Sequence, residues 1–275
     1  MGKEFDKAWQ ARFEELGRSQ LPSHSKATYY SSAYFGYREI FLKHVMNELL
    51  SYLNMKGTHP CNCLDVGCGE GLYTKMLHDR GLETQGVDAA ESLIRTATSG
   101  FPEIRFQKAD AYELPFEDRS FDCVVSFGLL QCLADWRRVI EEVLRVLRPG
   151  GIAAIETNRA FPVVENVLRS VNFLVRNGWR FKDALAFFRI FSASLTEKYG
   201  LRSRKLQVGS VVQFLRTKNI RELTIHNPVK HWPFHDYIWA WTLVKPNERP
   251  SEINRSIKIC SFCRKFGIRG KDAVQ

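Results

Sequence analysis

Hydrophobic and polar residues follow a helical period in the first part of the chain. Within residues 4–16 an aromatic side chain recurs at every fourth position, at Phe5, Trp9 and Phe13. Residues 37–53 have an amphipathic pattern of the same period, so both segments are predicted to be helices. The polar and aromatic residues 23–37 between them show no period, and we expect a loop there.

A different rhythm begins near residue 61, where short apolar runs alternate with amphipathic segments. The runs predict strands at 61–67, 83–88, 104–110, 121–127 and 152–158. The amphipathic segments predict helices at 71–81, 91–100 and 135–151, the last with Asp135 as its N-cap and Pro149, Gly150 and Gly151 as its stop. Strands that alternate with helices imply right-handed crossovers, and we therefore expect an α/β fold with a mainly parallel, doubly wound sheet.

The alternation is interrupted after residue 158. Residues 159–206 are crowded with Phe, Val, Leu and Arg and predict two helices, after which a helix at 208–219 and strands at 221–226 and 236–245 resume the sheet pattern. We expect three parts: a helical lid segment in 1–58, a core in 59–247 with a helical cap insertion at 159–206, and a basic, loosely held extension in 248–275.

Composition and charge narrow the class of protein. The 275 residues are 44% hydrophobic, and the seven cysteines are an odd number, which is not typical of a disulfide scaffold. No segment has the apolar length of a membrane span, the N-terminus lacks the pattern of a signal peptide, and we expect a cytoplasmic protein. The sequence gives no grounds for a metal site, because the Cys260 and Cys263 pair has no second pair of matching spacing.

The formal charge of +10 is concentrated in the second half of the chain. Residues 1–157 hold 18 Lys and Arg against 22 Asp and Glu, residues 158–220 hold 12 against 3, and residues 221–275 hold 10 against 5. A hydrophobic cap with this excess of cations favours an acceptor, or an anionic membrane surface, that carries phosphate or carboxylate with apolar bulk. A solvated cationic face without a partner is the alternative.

The sequence LDVGCGEGLYT at residues 64–74 places three glycines at alternate positions just after the first predicted core strand. Such a turn allows backbone to approach a ligand closely at the carboxyl end of a parallel strand. Its spacing differs from the dinucleotide fingerprint, because Leu72 occupies the place of the third glycine, and no GK[ST] follows to make a P-loop. Asp88 ends the next strand, and its two oxygens suit the paired hydroxyls of a ribose.

Four blocks in order, LDVGCGEG, GVD, KADAYELPFEDRSFDCVVSFGLL and VLRVLRPGG, resemble the class I S-adenosylmethionine-dependent methyltransferases. The resemblance is strongest to the small-molecule group that includes the ubiquinone- and menaquinone-type enzymes, and it covers roughly residues 60–158. It implies a Rossmann-like sheet of seven mainly parallel strands, S-adenosyl-L-methionine as the methyl donor, and S-adenosyl-L-homocysteine as the product.

The resemblance also implies which residues bind the cofactor. The turn residues would form the methionine end, Asp88 with Ala89 would hold the ribose, and Asp110 with the Ala111 amide would bind the adenine edge. Ser126 and Phe127 would line the sulfonium side. The turn residues assigned in this way are Asp65, Gly67, Cys68 and Gly69. From the residues alone, Asp65 has a second interpretation as a carboxylate that stabilises the turn without touching ligand.

The chain departs from many relatives where they carry a histidine after the fourth strand, since Gln131 and Cys132 stand there. A role of that histidine elsewhere is therefore not transferred. A sulfonium methyl is already activated, so positioning is the main task and a general base is optional. His231, His235 and Tyr30 are the candidates for a base, with His226 and Tyr29 as further ones.

We therefore expect methyl transfer to a small acceptor that is amphipathic or anionic, on an O, N or C atom. An RNA or protein methyltransferase that uses the basic half as its footprint is the first alternative, although the chain lacks a recognisable nucleic-acid module. A module that binds the cofactor without catalysis is the second.

Overall fold

The computed structural model describes residues 2–19, 32–57, 60–158, 208–218, 220–226, 238–246 and 256–259. Several sequence predictions fall outside these residues and stay predictions. They are the cap at 159–206, the candidate bases Tyr29, Tyr30, His231 and His235, and the Cys260 and Cys263 pair.

One eight-stranded sheet forms the centre of the molecule, with the order β3-β2-β1-β4-β5-β7-β6-β8. Strands β1 to β5 run parallel, β7 is antiparallel to both of its neighbours, and β8 is parallel to β6. The strands are Asn62–Val66, Glu83–Asp88, Arg105–Lys108, Phe121–Phe127, Leu147–Asn158, Glu222–His226, Ile238–Val244 and Ser256–Ile259, numbered β1 to β8. The prediction of a doubly wound, mainly parallel Rossmann-like sheet is confirmed, and β8 extends its edge beyond the seven expected strands.

Helices cover both faces of the sheet. The described helices are Gly2–Arg18, Ser32–Lys56, Leu72–His78, Glu91–Gly100, Trp136–Val146 and Val208–Thr217, numbered α1 to α6. One core cluster joins α5 and α6 to the sheet, and a second joins α2 to the opposite face through Leu42, Met46 and Leu49, which are fully buried. The apolar stripe on each helix thus determines which side of the sheet it covers.

Two helix boundaries differ most from the sequence prediction. Helix α2 begins at Ser32, inside the stretch expected to be a loop, because aromatic and small residues are tolerated in a helix that tertiary packing anchors further along. Helix α5 ends at Val146, before the expected stop, and Pro149 to Gly151 belong to β5. The pairing of β4 with β5 shifts register there, so these residues form an irregularity in the strand.

The side chain of Arg145 in α5 bonds to the loop after β3. The guanidinium of Arg145 donates hydrogen bonds to the carbonyl oxygens of Leu114 at 2.9 Å and Phe116 at 2.8 Å. It also pairs with the carboxylates of Glu142 and Asp118, each at 2.8 Å. Because this loop follows Asp110, Arg145 fixes the backbone next to a predicted site residue.

Candidate functional site

The site lies where the strand order reverses. Strand β1 is flanked by β2 on one side and β4 on the other, and all three are parallel, so their carboxyl ends open onto one crevice. Crevices of this kind bind ligands in doubly wound folds. The glycine turn, Asp88 and Phe127 each come at the carboxyl end of one of these strands.

The turn after β1 requires glycine at three positions. Gly67, Gly69 and Gly71 have φ values of +79°, +56° and +80°, in the left-handed region that other residues rarely adopt. The amides of Gly67 and Cys68 both donate to the carbonyl oxygen of Val87, at 2.8 and 3.0 Å. The turn is therefore fastened to the end of β2 by its own backbone.

The three glycines face different surroundings. A Cβ on Gly67 would lie 3.1 Å from the Leu129 side chain, and one on Gly71 would lie 2.6 Å from the Phe106 ring. A Cβ on Gly69 would meet no atom within 4 Å. Gly67 and Gly71 thus allow close packing within the protein, whereas the backbone at Gly69 faces open space.

Asp88 is fixed by two backbone amides. Its Oδ2 accepts a hydrogen bond from the Gly69 amide at 3.0 Å, and its Oδ1 accepts one from the Ala90 amide at 2.9 Å. Burial raises the pKa of Asp88, and the amides of Ala90 and Gly69 act in the opposite direction. Each carboxylate oxygen has a second acceptor position, so Asp88 retains capacity for two hydroxyl donors.

Asp65 is buried beneath the turn. It is 3% exposed, and its Oδ2 accepts a hydrogen bond of 2.7 Å from the Thr74 hydroxyl of α3. Burial raises the pKa of Asp65 to about 7. The negative charge of Asp88 also raises this pKa, whereas the hydrogen bond from Thr74 lowers it. This geometry favours the interpretation of Asp65 as the residue that ties the turn to α3.

Asp110 lies at the other end of the crevice, two residues after β3. The carboxylate of Asp110 is exposed, and its Oδ1 accepts a hydrogen bond from the Tyr112 amide at 2.9 Å. This bond fixes the turn of the backbone at the half-buried Ala111. Asp88 and Asp110 thus follow adjacent parallel strands. The structure brings the predicted ribose and adenine residues to the same edge.

The side chains of the remaining predicted residues make contacts within the protein. Ser126 is 1% exposed. Its hydroxyl donates a hydrogen bond to the Val66 carbonyl oxygen at 2.9 Å and so links β4 to β1. Cys68 is buried against β2, and burial raises the pKa of its thiol. Phe127 packs its ring edge against Tyr73 at 5.6 Å between centroids. The roles predicted for Ser126 and Phe127 on the sulfonium side, and for Cys68 at the methionine end, stay predictions.

Gln131 and Cys132 close the end of β4. Gln131 donates from Nε2 to the Gly128 carbonyl oxygen at 2.8 Å, and the buried Cys132 follows it in a turn of 3₁₀ helix, Leu130–Cys132. Burial raises the pKa of Cys132, and the charges of Asp88 and Glu156 raise it further. Cys132 therefore lies within the electrostatic reach of carboxylates from two strand ends.

His226 is wholly buried at the end of β6. Its Nε2 lies 2.9 Å from the Thr242 hydroxyl, and its ring makes an edge contact with His44 of α2 at 6.1 Å between centroids. Two strands, β7 and β5, separate β6 from β4. His226 is therefore far from the glycine turn along the sheet.

Sequence reasoning missed the residues of α1 that reach the site. Gln10 donates to the Ala89 carbonyl oxygen at 3.2 Å, and Glu14 accepts the amide of Ser92 at 3.1 Å. Asp6 accepts the Ala134 amide at 2.6 Å and the Tyr112 hydroxyl at 3.2 Å. Polar positions on an amphipathic helix suggest a solvated face, so no local signal distinguishes these three residues.

The described residues contain neither a metal-site cluster nor a membrane-spanning helix. No cluster of His, Cys, Asp and Glu in this part of the chain has the arrangement of a metal site. None of the described helices has both the length and the apolar character needed to cross a bilayer.

Comparison with known proteins found similarity over the residues that form the crevice. Residues 64–155 match the model of a family described as a methyltransferase domain. The chain is 32% identical over 102 residues to a probable S-adenosylmethionine-dependent methyltransferase of Mycolicibacterium smegmatis, covering 36% of this chain and 40% of that protein. It is 34% identical over 134 residues to demethylmenaquinone methyltransferase of Staphylococcus aureus, covering 46% of this chain and 52% of that protein. The chain thus spans about half or less of the length of these curated relatives.

A solved structure supports the fold. The match is to a complex of the Haloferax volcanii Trm112 methyltransferase activator with a methyltransferase, at a TM-score of 0.51 and 18% identity. It covers 68% of this chain and 84% of the solved one. At this identity the likeness supports the Rossmann-like fold alone.

Proposed function

We propose that this chain, whose residues 64–155 match a family described as a methyltransferase domain, is a class I methyltransferase that transfers a methyl group from S-adenosyl-L-methionine to a small-molecule acceptor. One observation carries the proposal. Asp88 is held at the end of β2 by the Gly69 and Ala90 amides, directly beside backbone that faces open space. A carboxylate fixed in this way binds a ribose diol without first losing conformational freedom.

The residues around the crevice fit the parts of this cofactor. Asp88 and Ala89 are assigned to the ribose, Asp110 and Ala111 to the adenine, and the turn at Gly67 to Gly69 to the methionine end. Asp65 supports the turn through Thr74. When bound, the cofactor supplies a methyl group that is already activated, and the protein orients the acceptor and excludes water. Orientation alone is worth on the order of 7 to 11 kcal/mol.

Two observations favour a small acceptor. Helix α1 covers the crevice from the residues after β2 to those after β4, which narrows the approach for a macromolecule. The name of the Staphylococcus aureus relative specifies a small-molecule acceptor, demethylmenaquinone. The charge of residues 158–275, with 22 Lys and Arg against 8 Asp and Glu, favours an acceptor that combines apolar bulk with an anionic group, or one drawn from an anionic membrane surface.

Methyl-labelled cofactor tests the proposal. The full chain would be incubated with it and with three separate fractions of a cell extract: lipid-soluble molecules, water-soluble small molecules, and RNA with protein. We expect the label in a small-molecule fraction. The rate of labelling should change little when the salt concentration is raised from about 50 to about 300 mM. Label in RNA or protein, lost steeply as salt rises, would instead support the macromolecular alternative. Cofactor binding without label in any fraction would support a non-catalytic module.

A further inference from the structure

The amides of the N-cap residue Ala90 and of the first two residues of α4 all donate to carboxylates, and two of these three bonds go to a distant helix. The Ala90 amide donates to Asp88 Oδ1 at 2.9 Å. The next two amides, of Glu91 and Ser92, donate to the two carboxylate oxygens of Glu14 on α1. Because the first turn of a helix leaves its amides without intrahelical partners, Glu14 completes a cap that Asp88 begins.

The contact between α1 and α4 is close enough to require a glycine. A Cβ on Gly17 would lie 2.3 Å from the Ser92 hydroxyl oxygen and 2.9 Å from the Leu93 amide nitrogen. The Ser92 hydroxyl donates to the carbonyl oxygen of Glu14 at 2.9 Å. On the same side of α1, Trp9 and Leu16 are each 4% exposed. The backbones of the two helices are therefore held at a fixed distance.

Helix α1 also bonds to the residue that follows Asp88 and to the far side of the crevice. Gln10 donates to the Ala89 carbonyl oxygen at 3.2 Å, and Asp6 accepts from Tyr112 and Ala134. Tyr112 is in turn tied to Asp110 through its amide. The helix is thus bonded next to both acids assigned to the adenosine part of the cofactor.

We propose that α1 belongs to the cofactor site. Glu14 is a positioning residue in this site, because it caps the N-terminal end of α4 and thereby holds Asp88 in place. The inference rests on the proposed function, because it assumes that Asp88 binds the cofactor. If Asp88 is better ordered when Glu14 is seated, then the cofactor and α1 stabilise each other's placement. Such coupling is reciprocal: docking of α1 raises cofactor affinity, and bound cofactor protects α1.

Titration calorimetry with S-adenosylhomocysteine, on the full chain, measures one side of this coupling. The variants are Glu14→Gln, which keeps one acceptor oxygen and loses the charge, and Glu14→Ala, which loses both. The matched control is Glu15→Gln, because Glu15 neighbours Glu14 but is 66% exposed and pairs with Arg12 within α1. We expect the Kd to rise about tenfold in Glu14→Ala and by less in Glu14→Gln, with Glu15→Gln within twofold of the original chain.

Hydrogen exchange of the amides in residues 2–18 measures the other side, which a purely structural role would not move. We expect S-adenosylhomocysteine to slow exchange of these amides in the original chain and to have a much smaller effect in Glu14→Gln. If Glu14→Ala fails to fold, both measurements are made on Glu14→Gln and Gln10→Ala. We expect the Kd of Gln10→Ala to rise about two- to threefold.

The outcomes separate the inference from the function on which it rests. Suppose that the original chain binds S-adenosylhomocysteine. If the Glu14 variants bind it with the same Kd, or if the ligand does not change hydrogen exchange in α1, then the coupling is wrong and the proposed function stands. If the original chain itself does not bind, both are wrong.

Discussion

The carboxylate of Asp88 accepts the amide hydrogen of Gly69 at 3.0 Å, which joins the end of the second strand to the turn that leaves the first. The bond matters because it orients an acid toward the one glycine of the turn whose missing side chain borders open space. Turn and acid therefore form a single rigid cradle, and changes to either should alter ligand binding more than folding.

Gly69→Ala and Gly71→Ala should separate binding from stability. Both positions have positive φ, which costs alanine about 1 to 2 kcal/mol. At Gly71 the added Cβ also meets the Phe106 ring at 2.6 Å, and such overpacking costs about 1 to 3 kcal/mol more. We expect urea unfolding to show the larger loss in Gly71→Ala, and calorimetry to show that Gly69→Ala weakens S-adenosylhomocysteine binding at least tenfold. Equal stability losses with unchanged binding would contradict the assignment of Gly69.

Asp65 should make stability depend on pH. Its pKa of about 7 in the folded protein exceeds the ordinary value, so the folded state holds the proton more tightly than the unfolded state. The contribution of Asp65 to stability is complete below pH 4 and declines as the pH rises to about 7. Asp65→Asn keeps an acceptor for Thr74 and removes this decline.

Unfolding free energies at pH 5 and pH 8 test this point. The free energy of unfolding of Asp65→Asn minus that of the original chain should be about 2 to 3 kcal/mol larger at pH 8 than at pH 5. Asp79→Asn is the control, since Asp79 is exposed and pairs with Lys75, and it should show the same difference at both pH values. A difference for Asp65→Asn that does not change with pH would show that the buried carboxyl titrates normally.

Arg145→Lys should be destabilising even though it keeps the charge. The guanidinium bonds to two carbonyl oxygens and two carboxylates at once, which a single ammonium group cannot reproduce. We expect a loss of about 1 to 3 kcal/mol in the free energy of unfolding. Arg95→Lys, at an exposed pair with Glu91, should be neutral by comparison. Equal effects of the two changes would mean that Arg145 does not fix the loop.

Local signals explain why much of the fold and the cradle was predictable from sequence. Alternate glycines after an apolar run, and an acid that ends the next run, are features of a few adjacent residues. The boundaries of β2 and β4 match the predicted strands for the same reason, because turn residues flank each apolar run. The helix from 135 was placed from its apolar stripe, and Asp135 holds the N-cap position, although its side chain makes no capping hydrogen bond.

The missed features depend on partners that are distant in the chain. Glu14 caps a helix that begins 77 residues later, and nothing near Glu14 in sequence indicates that helix. Asp65 and Ser126 were assigned to ligand by resemblance, yet their hydrogen bonds to Thr74 and Val66 become visible only when strands and helices are packed. Strand β8 likewise forms by pairing with β6 rather than from a strong period of its own.

Binding of S-adenosylhomocysteine to Asp88→Ala, measured by calorimetry beside the original chain, tests the central claim most directly. The control is Asp79→Ala, which removes an exposed acid at the C-cap of the helix that follows the glycine turn. We predict micromolar affinity for the original chain and the control, and a loss of about 1 to 3 kcal/mol in Asp88→Ala. Affinity in Asp88→Ala equal to that of the original chain would contradict the account.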